Sequence, residues 1–273
     1  MTKPKKIRLF WWSESLLMGK TKENYGDVLG KYLVEKISGK KVAFSHPKKF
    51  SILDFFQPIY VTAGSILAHI NKKCVVWGSG VIKNNQLVKP AKFLAVRGPE
   101  TRRILMNQGY VVPEIFGDPA LLLPNYYNPK IDKKYQLGII PHYVDFEFVK
   151  NNINHLDNVL VIDLMTNNIE QTTDSILQCK QIVSSSLHGI IVSHAYQIPA
   201  LWIKFSDKLF GDDIKFKDYF KSVAITSYKP IGMEVLADSV GSEKIFEQHG
   251  SALPSKDTLN KLQKGLMDVC PFV

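Results

Sequence analysis

The sequence predicts an α/β protein in two halves, each a parallel sheet covered by helices. Short apolar runs alternate with helical patterns along the chain, and a polar stretch bracketed by prolines, Pro124–Lys134, interrupts the series near its middle. Such alternation is typical of parallel sheets, because each crossover helix packs on a face of the sheet. We therefore divide the chain into residues 1–125 and residues 126–273, the second part ending in a closing helix.

Nine short apolar runs are predicted to be strands, about five in the first half and four in the second. They are rich in β-branched and aromatic residues and are bounded by polar residues, glycine or proline, as buried strands usually are. In chain order the runs are Ile7–Trp12, Lys41–Phe44, Pro58–Thr62, Cys74–Trp77, Phe93–Val96, Leu137–Ile140, Val159–Leu164, Gln181–Ser184 and Ala200–Phe205.

The helices between these strands are predicted from their spacing and their ends. Two of them stop at Gly39 and Gly109, and glycine readily takes the left-handed conformation that ends a helix. Leucines at helical spacing in the tail predict one more helix. The predicted helices are Asp27–Ser38, Pro99–Gln108, Ile169–Lys180, Leu187–Gln197 and a closing helix after Ser255.

Composition excludes several classes of protein. A chain of 273 residues that is 45% hydrophobic can bury a core without disulfides and is too apolar to be disordered. No apolar run is long enough to predict a membrane span. The formal net charge is +10, yet there are only four arginines. Because nucleic-acid binders usually read bases with arginine, we expect no nucleic-acid partner.

The cysteines and the lysines both bear on location. Three widely spaced cysteines and the lack of a glycosylation sequon favour the reducing cytoplasm. Scattered lysines create a diffuse positive field, which suits an anionic substrate or an anionic membrane surface. We expect a cytoplasmic protein with peripheral contact to the inner face of the membrane. A lysine-rich surface without a specific role is the alternative.

Residues that follow strands are the first candidates for a site, because ligands of open α/β sheets bind at the carboxyl ends of the strands. Gly78, Ser79 and Gly80 follow one strand, where glycines let the backbone approach an anion. A tight turn is the alternative there. Asn24 and Asp27 lie at the start of a predicted helix. Asp27 either caps this helix or, together with Asn24, directs polar atoms into the cleft.

Arg97 and Asp118 lie at two further strand ends. Arg97 precedes a helix that opens with proline, so it lies where free backbone N–H groups already favour anions. Its guanidinium would bind a carboxylate or phosphate through two hydrogen bonds, unless Arg97 is a surface residue. Asp118 belongs to a Gly-Asp-Pro turn, where a ligand contact and a structural role are both compatible with the sequence.

The sharpest candidate site begins where a strand ends at Ser184. Ser184, Ser185 and Ser186 provide three hydroxyl groups, and Leu187 and His188 then open a predicted helix. Hydroxyl and backbone N–H groups at such a position can hold an anion, and histidine adds a group that titrates near neutral pH. The sequence therefore predicts an anion site with a residue able to transfer a proton.

Two other histidines are interpreted relative to this site. His142 ends a strand of the second half and could enter the same cleft. His194 lies six residues after His188, on a different face of the helix, and is predicted to be structural. Histidine and cysteine residues lack the spacing of a metal site, and no Asp-x-Asp motif occurs. We therefore expect neither a metal nor another cofactor.

Six short motifs occur in a fixed order along the chain. They are Asn24-Tyr25-Gly26-Asp27, Trp77-Gly78-Ser79-Gly80, Val96-Arg97-Gly98-Pro99, Gly117-Asp118-Pro119-Ala120-Leu121-Leu122, Pro141-His142-Tyr143 and Ser185-Ser186-Leu187-His188-Gly189-Ile190-Ile191. Each motif is weak singly, but the ordered set resembles the polysaccharide pyruvyltransferases. The resemblance is strongest to the short bacterial transferases that form pyruvate ketals on exopolysaccharides.

This resemblance implies two Rossmann-like domains that face each other across a cleft, as in GT-B glycosyltransferases. It also implies transfer of a pyruvyl group from phosphoenolpyruvate, the donor substrate, to two hydroxyls of one sugar. The acceptor would be a glycan or a lipid-linked oligosaccharide. One departure concerns Ser186, since many members have arginine two residues before the histidine. The donor site would thus have one cation fewer.

The candidate residues suit that chemistry. Protonation of C3 of phosphoenolpyruvate creates a cationic centre at C2, which one sugar hydroxyl attacks before phosphate leaves and a second hydroxyl closes the ketal. His188 is predicted to be the proton donor and Arg97 to bind the donor's negative charge. Either His142 or Asp27 could be the base. The remaining candidates, Asn24, Gly78, Ser79, Gly80, Asp118, Ser185, Ser186 and Leu187, are predicted to bind substrate.

Two other functions remain open at this point. The first is a glycosyltransferase of the same architecture with a nucleotide-sugar donor, which would bind a nucleoside diphosphate rather than phosphoenolpyruvate. The second is a basic module without catalytic activity that binds an anionic glycan or a nucleic acid. Binding to DNA with a steep salt dependence would favour this module.

Overall fold

A computed structural model describes residues 6–153, 157–236, 239–248 and 253–273 of the chain. Within these residues, two five-stranded sheets and one two-stranded pair are formed. The first sheet contains β1 (Ile7–Phe10), β3 (Val42–Phe44), β4 (Ile59–Val61), β5 (Cys74–Trp77) and β6 (Lys92–Ala95). The second contains β7 (Tyr135–Ile140), β8 (Val159–Val161), β10 (Cys179–Ser184), β11 (Ala200–Lys204) and β12 (Ile231–Gly232). The pair is β2 (Glu23–Asn24) with β9 (Met165–Thr166).

Both five-stranded sheets are parallel, in the orders β3-β1-β4-β5-β6 and β12-β11-β10-β7-β8. The carboxyl ends of the strands in each sheet therefore lie along one edge. All nine predicted strands are present, with end points that differ by up to three residues. The sequence missed β2, β9 and β12, because two residues are too few to show a pattern. The predicted α/β class with parallel sheets is confirmed.

Helices connect the strands and cover the sheets. The five predicted helices are present, and Gly39 ends the first of them in the left-handed conformation, with φ of 65°. None of the helices in the described part of the chain is long and apolar enough to cross a membrane. The helices are α1 (Glu14–Met18), α2 (Tyr25–Ser38), α3 (Pro99–Met106), α4 (Phe146–Ile153), α5 (Ile169–Leu177), α6 (Leu187–Ala195), α7 (Ile214–Ser222), α8 (Ser239–Gln248) and α9 (Lys256–Asp268), with short 3-10 helices at Ile52–Phe55, Leu67–His69, Pro119–Asn125 and Met233–Leu236.

A continuous buried cluster links the two sheets. It includes Leu9 and Trp77 from the first sheet, Ile182 from the second and the 3-10 helix Pro119–Asn125 between them. The three leucines of this 3-10 helix are fully buried, and each contributes about 1.5–3 kcal/mol through the hydrophobic effect. The chain that joins the halves is therefore part of the core.

The C-terminal helix α9 packs against the first half. Trp77 donates its indole N–H to the carbonyl oxygen of Leu266 over 2.9 Å. The ring of Phe272 lies edge-on to Trp77, with ring centres 5.5 Å apart. Gln263 donates to the carbonyl oxygen of Leu121 over 2.7 Å. The end of the chain thereby fastens the first sheet to the 3-10 helix Pro119–Asn125.

Candidate functional site

Five titratable side chains come together where the carboxyl ends of the two sheets approach each other. We call Asp27, Asp118, His142, His188 and Lys215 the junction site. The first two come from the first half of the chain and the other three from the second half. The sequence placed four of these residues at strand ends or helix starts, and the structure brings them to one place.

His188 and Asp118 form the most buried pair of the junction site. The strand β10 ends at Ser184 and α6 begins at Leu187, so His188 lies in the first turn of that helix. Its Nε2 lies 3.5 Å from Oδ2 of Asp118. Among the described residues, neither of these buried atoms has a hydrogen-bond partner. Such unsatisfied atoms are rare in folded proteins and are typical of sites that bind a ligand or move a proton.

The positions of both members of this pair are fixed by the local fold. The other carboxylate oxygen of Asp118 accepts the N–H of Ala120 over 3.0 Å and so caps the 3-10 helix. His188 lies against the first turn of α2, where a Cβ on Gly26 would come within 2.0 Å of its Nδ1. Only glycine permits this approach. The imidazole is therefore held between two helix starts, with Asp118 on one side.

Asp27 lies in the first turn of α2, next to this pair. Burial raises the pKa of Asp27 to about 7, although the charges of His188 and Lys215 oppose this effect. The carboxyl group is thus half protonated near neutral pH. It can either donate or accept a proton there. Asn24, and not Asp27, caps α2, because its side-chain oxygen accepts the N–H of Gly26 over 3.0 Å.

His142 follows β7 and approaches the site from the second sheet. Burial lowers its pKa to about 4, and the charges of Lys215 and Lys20 lower it further. The imidazole is therefore neutral at physiological pH and can accept a proton or a hydrogen bond. The backbone N–H of His142 donates to the hydroxyl oxygen of Ser185 over 2.8 Å, which ties the two strand ends together.

Lys215 supplies a cation that the sequence did not reveal. It is the second residue of α7, and its charge interacts with the charges of Arg97 and Asp27 and lowers the pKa of His142. Burial, followed by the charge of Arg97, lowers the pKa of Lys215 to about 8. In a chain with 35 lysine and arginine residues, one lysine on a helix carries no signal in the sequence. Its place in the site depends on how α7 docks.

Arg97 is fully buried, so the possibility of a surface arginine is wrong. Its Nε donates to Asp218 over 3.0 Å, and its other two nitrogens donate to the hydroxyl of Ser65 and to the carbonyl of Val81 over 2.5 and 2.8 Å. Asp218 also accepts the backbone N–H of Thr101 over 2.8 Å. This network fastens α7 to the start of α3. A direct contact between Arg97 and a donor substrate stays a prediction.

The Gly78-Ser79-Gly80 segment packs tightly between neighbouring residues. Gly78 has φ of 91°, and a Cβ there would lie 2.3 Å from Pro119. A Cβ on Gly80 would lie 2.4 Å from the guanidinium carbon of Arg97. The buried hydroxyl of Ser79 donates to a backbone carbonyl over 2.7 Å. Both glycines are thus required by packing, and contact of this segment with substrate stays a prediction.

The serines before α6 have different surroundings. Ser184 donates its hydroxyl to the carbonyl of Ile140 over 2.9 Å and accepts the N–H of Ser186 over 3.0 Å. Ser186 precedes α6 without a side-chain cap bond in the described structure, and Leu187 joins the core. The hydroxyls of Ser184 and Ser185 therefore shape the loop. The hydroxyl of Ser186 stands at the helix start beside His188.

His194 lies apart from the junction site. Its Nδ1 is 3.0 Å from the hydroxyl of Tyr219, and its Nε2 is 3.4 Å from the carbonyl of Ala200. The side chain is fully buried. The predicted structural role of His194 is confirmed.

Comparison with known proteins adds two findings. Residues 24–207 match the sequence profile of the family described as polysaccharide pyruvyl transferase. An uncharacterized protein of Acanthamoeba polyphaga mimivirus is 36% identical over 213 residues, which cover 74% of this chain and 71% of that protein. The profile spans Asp27, Asp118, His142 and His188 of the junction site and ends before Lys215.

Proposed function

The chain belongs to the polysaccharide pyruvyl transferase family, and we propose that it forms cyclic pyruvate ketals with phosphoenolpyruvate as the donor. The pyruvyl group would be transferred to two hydroxyls of one sugar. This sugar would belong to a surface polysaccharide or to its lipid-linked precursor. The observation that carries this proposal is the His188–Asp118 pair, whose facing atoms are buried and unpartnered among the described residues. A proton donor in such a place suits a reaction that starts by protonating an enol carbon.

The two parallel sheets support a two-domain arrangement as part of this proposal. We propose that each sheet belongs to one Rossmann-like domain and that substrates bind in a cleft between them, as in GT-B glycosyltransferases. Support comes from the junction site, which collects strand ends and helix starts of both sheets. Ligands of such sheets bind at the carboxyl edge.

Donor binding requires positive charge for a carboxylate and a phosphate. Lys215 supplies it, since a group with a pKa of about 8 is mostly protonated at neutral pH. The start of α6 adds free backbone N–H groups next to Ser186. Lys215 would thereby replace the cation that the family often places at the position of Ser186. Arg97 contributes by holding α7, and so Lys215, against the first half.

The reaction then follows from the positions of the remaining groups. Protonated His188, whose Nε2 lies 3.5 Å from Oδ2 of Asp118, gives a proton to C3 of phosphoenolpyruvate. A sugar hydroxyl attacks C2 and loses its proton, phosphate leaves, and a second hydroxyl closes the ketal. Asp27 and His142 are both candidates for the base that takes the hydroxyl proton. The proposal involves no metal or nucleotide.

Phosphate release from phosphoenolpyruvate, measured with a panel of aryl and lipid-linked glycosides, tests this function. We expect release with at least one acceptor, accompanied by a ketal methyl signal in the NMR spectrum of the product. Calorimetric titration with phosphoenolpyruvate and with a nucleoside diphosphate gives a second readout. Tight binding of the nucleotide without binding of phosphoenolpyruvate would contradict the proposal and favour a nucleotide-sugar glycosyltransferase.

A further inference from the structure

The segment between β3 and β4 exposes four large apolar side chains to solvent. Phe50, Ile52, Phe55 and Phe56 are each 70–76% exposed. We call Phe50–Phe56 the aromatic segment. Contiguous apolar surface of this kind is rare on soluble monomers and usually marks a site of interaction.

Internal bonds hold these side chains outward. Ser51 and Asp54 form a capping box, in which the backbone N–H of Ser51 donates to Asp54 over 3.0 Å. Asp54 also pairs with Arg8 over 2.5 Å and with Lys73 over 2.6 Å. Although Asp54 is partly desolvated, the bonds from Lys73 and Arg8 hold its pKa well below the usual range. The one acidic group of the aromatic segment thus points inward and is neutralised.

The positive charge of the protein is concentrated in the same half. Residues 1–95 contain 17 lysine and arginine residues but only five acidic residues, whereas the formal net charge of the whole chain is +10. The rest of the chain is therefore close to neutral. Such an asymmetry between two parts of a chain indicates an anionic partner.

The sheet places much of this charge around the aromatic segment. Parallel strands share one amino edge, and exposed lysines occur at or within two residues of four strand starts in the first sheet. Arg8 in β1 and Lys73 before β5 bind the aromatic segment to this edge. Exposed Lys48 and Lys49 directly precede it. The lysines at the strand starts are Lys6, Lys41, Lys72 and Lys92.

We propose that the aromatic segment inserts into the interface of an anionic membrane while the surrounding lysines bind the lipid phosphates. Aromatic rings favour the boundary between headgroups and acyl chains, and each lysine near an anionic surface adds attraction. A second copy of this chain is a poorer partner, because two such edges would bring like charges together. The amino edge lies opposite the junction site, so membrane contact leaves the catalytic groups free.

Sedimentation with lipid vesicles tests this proposal without reference to the reaction. We expect binding to vesicles with about one third phosphatidylglycerol, no binding to pure phosphatidylcholine, and loss of binding as salt rises.

The double variant Phe55→Ser/Phe56→Ser should bind at least about tenfold more weakly. The variant Lys48→Ala/Lys49→Ala should bind about 25-fold more weakly, at about fivefold per lysine. Phe148→Ser, which removes a half-exposed ring from α4, should bind like the wild type.

A tryptophan probe gives a readout that does not require loss of binding. We expect the fluorescence of Phe56→Trp to shift to shorter wavelength when phosphatidylglycerol vesicles are added. Turnover of a soluble glycoside should be the same in all of these variants. Equal binding to neutral vesicles, or anionic binding unaffected by both double variants, would overturn the proposal. A third result would also overturn it: the wild type is a dimer, Phe55→Ser/Phe56→Ser is a monomer, and neither of the two proteins binds vesicles.

Discussion

Among the oppositely charged side-chain pairs that join the two halves in the described residues, two are buried, and they differ in how well they are bonded. Arg97 and Asp218 are 3.0 Å apart and fully buried, and all three guanidinium nitrogens donate to protein acceptors. His188 and Asp118 are 3.5 Å apart, and their facing atoms are unpartnered within the part of the chain that is described. A fully bonded buried pair fixes structure, whereas a partly bonded one keeps capacity for a ligand or a proton.

The two pairs have complementary roles. The Arg97–Asp218 pair holds α7 against α3, and so sets the position of Lys215. The His188–Asp118 pair lies at the same junction, where a titratable group meets a fixed carboxylate. One pair should therefore control stability and the other turnover. Substitutions in each pair separate these effects.

The largest effect is expected from His188→Asn. Loss of a general acid typically lowers the rate about 10²–10⁴-fold, and we expect kcat to fall by that factor. Because asparagine fills part of the same space, the variant should fold normally and bind phosphoenolpyruvate. Thermal unfolding and phosphate release measure both properties. As a control, His194→Asn should lower stability more than kcat, because His194 bonds to Tyr219. If His188→Asn keeps more than about a tenth of wild-type turnover, the acid lies elsewhere and His142 is the next candidate.

Arg97→Lys should show the opposite pattern. Lysine keeps the charge but cannot reach Asp218, Ser65 and Val81 together. We expect the free energy of unfolding, measured by denaturant titration, to fall by about 2–4 kcal/mol. The kcat of the folded protein should stay within about tenfold of the wild-type value. Unchanged stability combined with lost affinity for phosphoenolpyruvate would show instead that Arg97 binds the donor directly.

The contrast also shows what the sequence could predict. The nine strands were found because each is a short apolar run between polar or turn residues. His188 and Asp118 stood out because they follow runs that end in serine or glycine turns. Asp218 carried no such signal. It is 121 residues from Arg97 in the chain, and only the docking of α7 brings the two together.

Lys215 and the bonded state of Arg97 were missed for the same physical reason. A lysine on a helix surface and a lysine inside a site have the same sequence neighbours. The pattern also cannot show whether an arginine at a strand end faces a ligand or a carboxylate. Both answers depend on contacts between distant elements, here α3 with α7.

Lys215 extends the comparison to donor binding. Its pKa of about 8 lies below the ordinary value, so the ammonium group loses its proton as the pH rises through 8. At pH values above 8, the KM for phosphoenolpyruvate should therefore increase. Lys215→Arg stays charged and should remove this rise, whereas Lys215→Gln should raise KM about tenfold at pH 7. The matched control is Lys217→Gln on the exposed side of α7. Equal KM values for both glutamine variants would remove Lys215 from the site.

Substitution of Asp27 should give the smallest effect, a change in stability whose size depends on pH. Its pKa is raised to about 7 in the folded protein, so the folded state binds the proton more tightly than the unfolded state. Stability is therefore lost as pH rises from about 4 to 7. We expect Asp27→Asn to raise the free energy of unfolding by about 1–2 kcal/mol at pH 8 and to leave it unchanged near pH 4. Destabilisation at pH 8 would show that the ionised carboxylate is bonded in the fold.

The most direct test compares His188→Asn with Arg97→Lys in one experiment. Single-turnover phosphate release is measured for both variants with saturating phosphoenolpyruvate and an active acceptor, at equal concentrations of folded protein. We predict that His188→Asn is at least about tenfold slower than Arg97→Lys, although it is the more stable of the two. Equal rates, or a slower Arg97→Lys, would contradict the assignment of proton transfer to the His188–Asp118 pair.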